Sequence, residues 1–436
     1  MSERTHATAD DPLRVILVLT VPPKERALES EREEEMRSLL TTAGCEVVGV
    51  ASQHLARPVG STYIGSGKLE EIRRLCVEQR ADEVVFDVEL TPSQERNIEK
   101  VIEMRVIDYT ALILHIFANN ARTHQAKLAV ELAQLEHNRS RLKRMWSHLD
   151  RIKAGMNMRG PGEKQLEVDR RLVDQRIRDL KNKLRDIERR KERTIASRGD
   201  VFKVCLVGYT NAGKSSLMNA LTEAGVLAQD KLFATLDTRT SRLDIDNRRP
   251  MVISDTVGFI RKLPHTLVAS FHATLAEVIE ADLLLHVVDA SLPSMEEQIE
   301  AVEEVLAHIG ADHVPAIMVF NKIDKPHSKT IMLAFQRRYR GSVGVSAHSG
   351  DGLDELREAI IREANNHIQQ VQVRFPIANG AVAAFLRRRA TILNEHYEEE
   401  HCILTIEVDE RLHGELAEHP DLEILGDPAA KIDFPF

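Results

Sequence analysis

Over its first 120 positions the chain alternates between two rhythms of apolar residues. Short β-rich runs (RVILVLT from Arg14, CEVVGV from Cys45, DEVVFD from Asp82, RVID from Arg105) alternate with segments of helical spacing: Ala27 to Ala43, GKLEEIRRLCVEQR, SQERNIEKVIEM and YTALILHIFANNA. This predicts a small parallel α/β layer, because parallel neighbours need a crossover to bring the chain back. The GSGK at Gly65 to Lys68 lacks the spacing and the preceding apolar strand of a phosphate loop, and reads as a turn entering a helix.

The rhythm changes at Ala121. Leu128, Leu135, Leu142 and Leu149 recur every seven residues, while Val173, Ile177, Leu180, Leu184 and Ile187 step by four and three, the seams of two packed helices. Between them AGMNMRGPGEK carries Gly155, Gly160, Pro161 and Gly162, which continue a helix only at a cost, so it is expected to be the tip of an antiparallel hairpin. Beyond Asp200 strands and helices alternate again, and a last helix, Ala381 to Leu393, precedes a strand-like CILTIEVD. The expected fold class is α/β, in four parts: an N-terminal α/β domain over 1–120, a hairpin over 121–199 with its tip at 154–164, a phosphate-loop domain over 200–368 and a small α+β domain over 369–436.

Composition adds a bound and a contrast. With 43% hydrophobic and 29% charged residues, the 436-residue chain reads as globular, and its four cysteines show no paired spacing. No apolar run approaches a membrane span, so the expected location is the cytoplasm, with association at the membrane periphery as the alternative. The net charge of −9 hides an asymmetry: residues 121–200 hold 22 Lys and Arg against 12 Asp and Glu, a net of +10, leaving −19 for the rest. Such a segment suits a polyanionic partner or is a solvated helical face; charge alone does not choose.

The chemistry starts after Asp200. VFKVCLVGYTNAGKSSLMNAL places Gly208, Gly213, Lys214 and Ser215 at phosphate-loop spacing between an apolar strand and a helix. Backbone N–H groups from Gly208 through Tyr209, Thr210, Asn211, Ala212 and Gly213 to Ser216 would wrap phosphates, Lys214 would reach the β and γ oxygens, and the Ser215 hydroxyl would ligate Mg²⁺. MVISDTVG ends a strand at Asp255, suited to the metal's water shell, and leaves the Gly258 N–H for a γ-phosphate. AIMVFNKID supplies Asn321, Lys322 and Asp324, and the Asp324 carboxylate can accept from guanine N1–H and its 2-amino group, donors adenine lacks there. VSAHSGDG adds Ser346 and Ala347 over the base edge, and KLFATLDTRT offers Thr235, or else Thr238, to complete the magnesium shell.

The order of these elements resembles the translation-factor-related GTPases, and GYTNAGKSS, LFATLDT, DTVGFIRKLPH, NKID, SAHSGDGL, YIGSGKLEE, AKLAVELAQL and RGPGEKQLEVDRRL resemble the HflX family over nearly the whole chain. The resemblance implies a GTP-hydrolysing factor, cycling between GTP and GDP, that binds the large ribosomal subunit, splits stalled or idle ribosomes and leaves after hydrolysis. The hairpin tip would then reach toward the peptidyl-transferase centre, with Arg139, Arg141, Lys143, Arg144, Arg151, Lys153 and Arg159 neutralising rRNA phosphates against one acid, Asp150. Asn211 matches a position at which related GTPases bind K⁺, or it braces the loop. Phe259 stands where Ras-like enzymes carry a water-orienting glutamine, which implies slow unassisted hydrolysis. Departures from the family pattern include AGMNM in the tip, Lys164 for a threonine, and Tyr109 and Asn120 where arginines are frequent.

Two other classes compete: a GTP-dependent signalling or scaffold module with a dimerising coiled coil, and an RNA-remodelling ATPase. The basic sector Arg139 to Arg159 lacks the apolar seam a dimer needs, and no second phosphate loop is visible, so a monomeric ribosome-directed GTPase is the expectation.

Overall fold

The computed structural model describes residues 12–145, 161–196, 201–222, 232–233, 238–245, 250–261, 272–326, 328–366, 368–398, 400–417 and 419–426. It begins with a four-stranded parallel sheet in the order β2-β1-β3-β4, formed by β1 (Leu13–Val21), β2 (Cys45–His54), β3 (Glu83–Phe86) and β4 (Arg105–Ile107). The central β1 is buried on both faces, as expected of an almost wholly apolar run in a parallel sheet. Val15, Leu17 and Leu19 pack under α1 (Glu29–Thr42) and α4 (Tyr109–Asn120), and Ile16 and Val18 under α2 (Ser66–Gln79) and α3 (Pro92–Ile102). The Gly65 turn enters α2. Thr91 and Gln94 close a reciprocal capping box on α3, and the Asp108 carboxylate accepts the Ala111 N–H at 2.8 Å to cap α4.

The hairpin is α5 (His124–Met145) packed on α6 (Pro161–Ala196). Leu128, Leu132, Ile177, Leu180 and Leu184 are buried along its seam, with Leu135, Val173 and Ile187 partly so. Glu131 pairs with Arg176 and Glu136 with Lys181, both at 2.7 Å, across the exposed flank. One boundary differs from expectation: α6 starts at Pro161, so residues 161–164, expected in the tip, are helical. Proline fits a first helical position because its missing N–H has no partner there in any case.

The third part is a six-stranded sheet in the order β10-β9-β8-β5-β7-β6. Its strands are β5 (Phe202–Gly208), β6 (Arg239–Leu243), β7 (Met251–Asp255), β8 (Leu283–Asp289), β9 (Ala316–Asn321) and β10 (Val343–Gly344). All neighbours are parallel except β6, which runs against β7. The helices are α7 (Lys214–Leu221), α8 (His272–Ile279), α9 (Met295–His308), α10 (Ser328–Gln336) and α11 (Leu353–Asn366). Gly208, Asp255, Asp289 and Asn321 end four strands on the carboxyl edge, where open α/β sheets place ligands.

The last part is β11 (Ile368–Pro376), α12 (Gly380–Arg389), β12 (Thr391–Glu398), β13 (His401–Asp409), α13 (Glu410–Ala417) and β14 (Glu423–Gly426). Its antiparallel order β12-β13-β11-β14 makes the small α+β unit a split β-α-β, the ferredoxin-like arrangement. Here the expected helix to Leu393 is cut short. It stops at Arg389, and Thr391 onward is drawn into pairing with β13, where β-branched Thr391 and Ile392 are at ease. Among the described residues no helix is long and apolar enough to cross a membrane, and all four cysteines are free thiols.

Candidate nucleotide site

The phosphate loop leaves β5 at Gly208 and enters α7 at Lys214. Gly213 has φ 94°, and a Cβ there would stand 2.2 Å from Asn321 Nδ2, so backbone shape and crowding both require glycine. Lys214 Nζ donates to the carbonyls of Gly208 at 3.0 Å and Tyr209 at 2.9 Å. Burial pushes its pKa down to about 8, against the opposing pull of Asp255. Among the described residues its hydrogen bonds go to neutral carbonyls, which leaves the ammonium suited to receive phosphate.

Ser215 Oγ donates to Asp255 Oδ2 at 2.5 Å, and Asp255 is fully buried at the end of β7. A hydroxyl and a carboxylate in contact form a hard-oxygen donor pair, the chemistry that fits Mg²⁺. The turn after Asp255 is tied down by Thr256 Oγ1, which donates to the Leu206 carbonyl at 2.6 Å. Gly258 lies so close that a Cβ would be 2.8 Å from Thr210 Cα. Phe259 bonds the phosphate loop through its backbone, its N–H to the Gly208 carbonyl at 3.1 Å and its carbonyl to the Thr210 N–H at 2.7 Å. The Phe259 ring is buried with Val207, Leu275 and Val278, away from any water-orienting task.

On the base side, Asn321 Nδ2 donates to the Ala212 carbonyl at 2.8 Å, and its Oδ1 accepts the Ala347 N–H at 3.1 Å. Lys322 Nζ donates to the Asn211 carbonyl at 2.9 Å. Asp324 is exposed, and a hydrogen bond from the Ser346 hydroxyl holds its carboxyl below the ordinary range, so it is an anion ready to accept. The structure therefore brings the phosphate-loop residues, Asp255, Gly258, Asn321, Lys322, Asp324, Ser346 and Ala347 to one edge of one sheet.

Other expected residues are bonded elsewhere or lie outside the described residues. Thr238 donates its hydroxyl to Glu277 at 2.9 Å, and Thr235 lies outside the described residues. Arg141 has partners within the chain. Expected to contact RNA, it is bonded in this structure to Asp108 at 2.6 Å and Glu95 at 2.8 Å, tying the far end of α5 to the first domain. Burial alone would raise the Asp108 carboxyl, but His137 and Arg141 hold it below its usual range, as for a carboxylate committed to an internal partner. Arg139 lies 3.3 Å from Asp174. Arg151, Lys153 and Arg159, and the side chains of Lys143 and Arg144, lie outside the described residues.

Sequence reasoning missed the bonds between the first domain and this site. Tyr209 donates to the Glu35 carboxylate at 2.5 Å and accepts the Arg261 N–H at 3.0 Å, while the Tyr109 hydroxyl donates to the Arg261 carbonyl at 3.2 Å. Burial raises the Glu35 carboxyl above its ordinary range, opposed by the Tyr209 bond. Phe233, at φ 57°, packs edge-on against Phe117 with centroids 4.7 Å apart, and its N–H bonds the Thr210 hydroxyl at 3.0 Å. Asp289 was missed too, although its signal was present: like Asp255 and Asn321, it is a polar residue closing an apolar strand, LLLHVVD.

Comparison with known proteins agrees with this geometry. Families described as GTP-binding GTPase N-terminal, GTP-binding GTPase Middle Region and 50S ribosome-binding GTPase match residues 30–118, 120–198 and 203–322. GTPase HflX of Magnetococcus marinus is 43% identical over 94% of this chain and 95% of its own length. GTPase HflX of Escherichia coli is 44% identical over 85% of this chain and 88% of its own. The solved structure of SsGBP with GDP aligns at 25% identity and a TM-score of 0.47, covering 81% of this chain and 99% of that one. With a phosphate loop at the carboxyl edge of its sheet and relatives matched almost end to end, the chain belongs to the HflX family of GTPases.

Proposed function

We propose that this GTPase acts on the large ribosomal subunit, splits stalled or idle ribosomes and leaves after GTP hydrolysis, working as a monomer in the cytoplasm. The observation that carries the reading is one continuous apolar core. Phe117 and Leu112 of α4, Leu128 and Leu132 of α5, and Ile177 and Leu180 of α6 share it with Tyr209, Leu232, Phe233, Val257 and Ile260 of the nucleotide domain. Whatever γ-phosphate does to the segments around Phe233 and Ile260 is thereby felt at the seat of the hairpin. The match of 203–322 to a 50S ribosome-binding family supports the same partner.

In this reading Lys214 and the phosphate-loop N–H groups bind the phosphates, Gly258 offers its N–H to the γ-phosphate, and Asp324 selects guanine. Ser215, Asp255 and Thr235 would hold Mg²⁺, which when bound supplies positive charge to the β and γ oxygens. Asn211, at φ 60° in the loop, is the proposed K⁺ ligand. With Phe259 turned into the core, the attacking water has no side chain from that position, so hydrolysis waits for the ribosome. Arg139, Lys143, Arg144, Arg151, Lys153 and Arg159 supply rRNA affinity, without Arg141. The chain would divide into its four parts at 120/121, 199/200 and 368/369.

The test is sedimentation with separated subunits and with whole ribosomes, in a non-hydrolysable GTP analogue or GDP, alongside hydrolysis rates. Association with large subunits in the analogue, and a rate well above that of the isolated protein, are expected. Equal rates with and without large subunits would overturn the reading.

A further inference from the structure

Asp289 closes β8, between the strand that leads into the phosphate loop and the strand that ends in Asn321. Its side chain is buried, and both oxygens are used. One accepts from the Ser291 N–H at 3.0 Å and the Ser291 hydroxyl at 2.5 Å. The other lies 2.6 Å from Lys322 Nζ. The Ala290 N–H bonds the Asn321 carbonyl at 3.0 Å, so backbone and side chain of this corner both hold the base-reading segment. Lys322 itself has φ 63°, a left-handed backbone that a lysine adopts only when its surroundings enforce it.

Together these bonds form a relay: Ser291 fixes the Asp289 carboxylate, the carboxylate fixes the Lys322 ammonium, and the ammonium holds the Asn211 carbonyl of the phosphate loop. We infer that Asp289 is a positioning residue for guanine-nucleotide binding, setting the Lys322 bridge that locks the base-reading loop to the phosphate loop. Without the carboxylate the ammonium loses its one fixed anionic partner among the described residues and turns to solvent. Among the described residues, the two loops then keep the Asn321 brace. The relay touches the loop backbone at Asn211 and not the end where γ-phosphate sits, so its loss weakens GDP and GTP alike.

The test uses the full-length protein, with fluorescent GDP and a non-hydrolysable GTP analogue as probes. Asp289→Asn should raise the dissociation constants of both by the same factor, about tenfold for the loss of a charge-assisted bond. kcat at saturating GTP should hold within about threefold while KM follows the dissociation constant. Lys322→Met should show a similar loss, and the double variant no more than either single one. Should Asp289→Asn not fold, Ser291→Ala, which keeps the carboxylate and its backbone bond but removes the hydroxyl that helps fix it, must show the same split in smaller measure. Additive effects of Asp289 and Lys322, an unchanged GDP affinity, or a loss confined to kcat would overturn the proposal. None of these results bears on ribosome binding.

Discussion

Asn120, the last residue of α4, donates its side-chain amide to the carbonyl of Phe233 at 3.0 Å. The first domain thus holds a backbone carbonyl of the segment proposed above to respond to γ-phosphate. Asn120→Ala removes a hydrogen bond worth about 1 kcal/mol and should speed single-turnover hydrolysis by the isolated protein by about fivefold. An unchanged rate would mean that the anchor does not restrain the segment.

Lys214 should make nucleotide affinity pH-dependent. Its ammonium, at about 8 in the free protein, must be charged to bind phosphate. GDP should therefore bind about fourfold more weakly at pH 8.5 than at pH 7, because the free protein has lost the proton that the complex needs. Calorimetry in buffers of different ionisation enthalpy would show proton uptake on binding. A flat profile would contradict the assignment, and Lys214→Ala should abolish hydrolysis.

Glu35 should make stability, too, fall as pH rises. Its folded pKa is raised above the ordinary 4.5, so the folded protein binds this proton more tightly than the unfolded chain. The stabilisation is complete below the ordinary value and is lost as pH rises through the folded one. Glu35→Gln should remove that decline from a series of Tm measurements across the window. Parallel profiles for parent and variant would show that another group is responsible.

Asp324→Asn should move base preference toward xanthosine nucleotides, whose 2-oxo group accepts where guanine donates. Losing a matched pair of buried hydrogen bonds is worth on the order of a thousandfold in discrimination. A variant that still prefers GTP by the parental margin would refute the role given to this carboxylate.

Arg141 and the tip bases should separate cleanly. Arg141→Ala breaks bonds to Asp108 and Glu95, so it should lower Tm and leave the salt dependence of large-subunit binding unchanged. Replacing Arg151, Lys153 and Arg159 should leave Tm alone and reduce the slope of log affinity against log salt by about 0.7 to 0.9 for each phosphate no longer neutralised. The reverse pattern would return Arg141 to the RNA surface.

What the sequence revealed and what it hid follow from distance along the chain. Gly208 to Ser216, Asp255, Asn321 and Asp324 were legible because each sits at a fixed offset from a strand end, and local chemistry dictates residue type there. Asp289 has the same strand-end signature but no companion motif, and its partner Lys322 is 33 residues away. Arg141 looked like one of a row of solvated bases because Asp108 lies 33 residues earlier, in another element. Tyr109 and Asn120 stood out as departures from a family pattern, yet their partners lie 152 and 113 residues further on, in the nucleotide domain. No periodicity or spacing rule links positions so far apart; only the fold does.

The apolar core shared by Phe117, Phe233, Tyr209 and Ile260 also bears on how the molecule comes apart. A nucleotide domain cut free at residue 200 would carry bare rings and aliphatic groups where the first domain had covered them. Amide protons at the Phe233 and Ile260 segments should therefore exchange in step with those of α4, as one cooperative unit. Domains in this chain divide the sequence, and the opening of the nucleotide cleft does not respect the division.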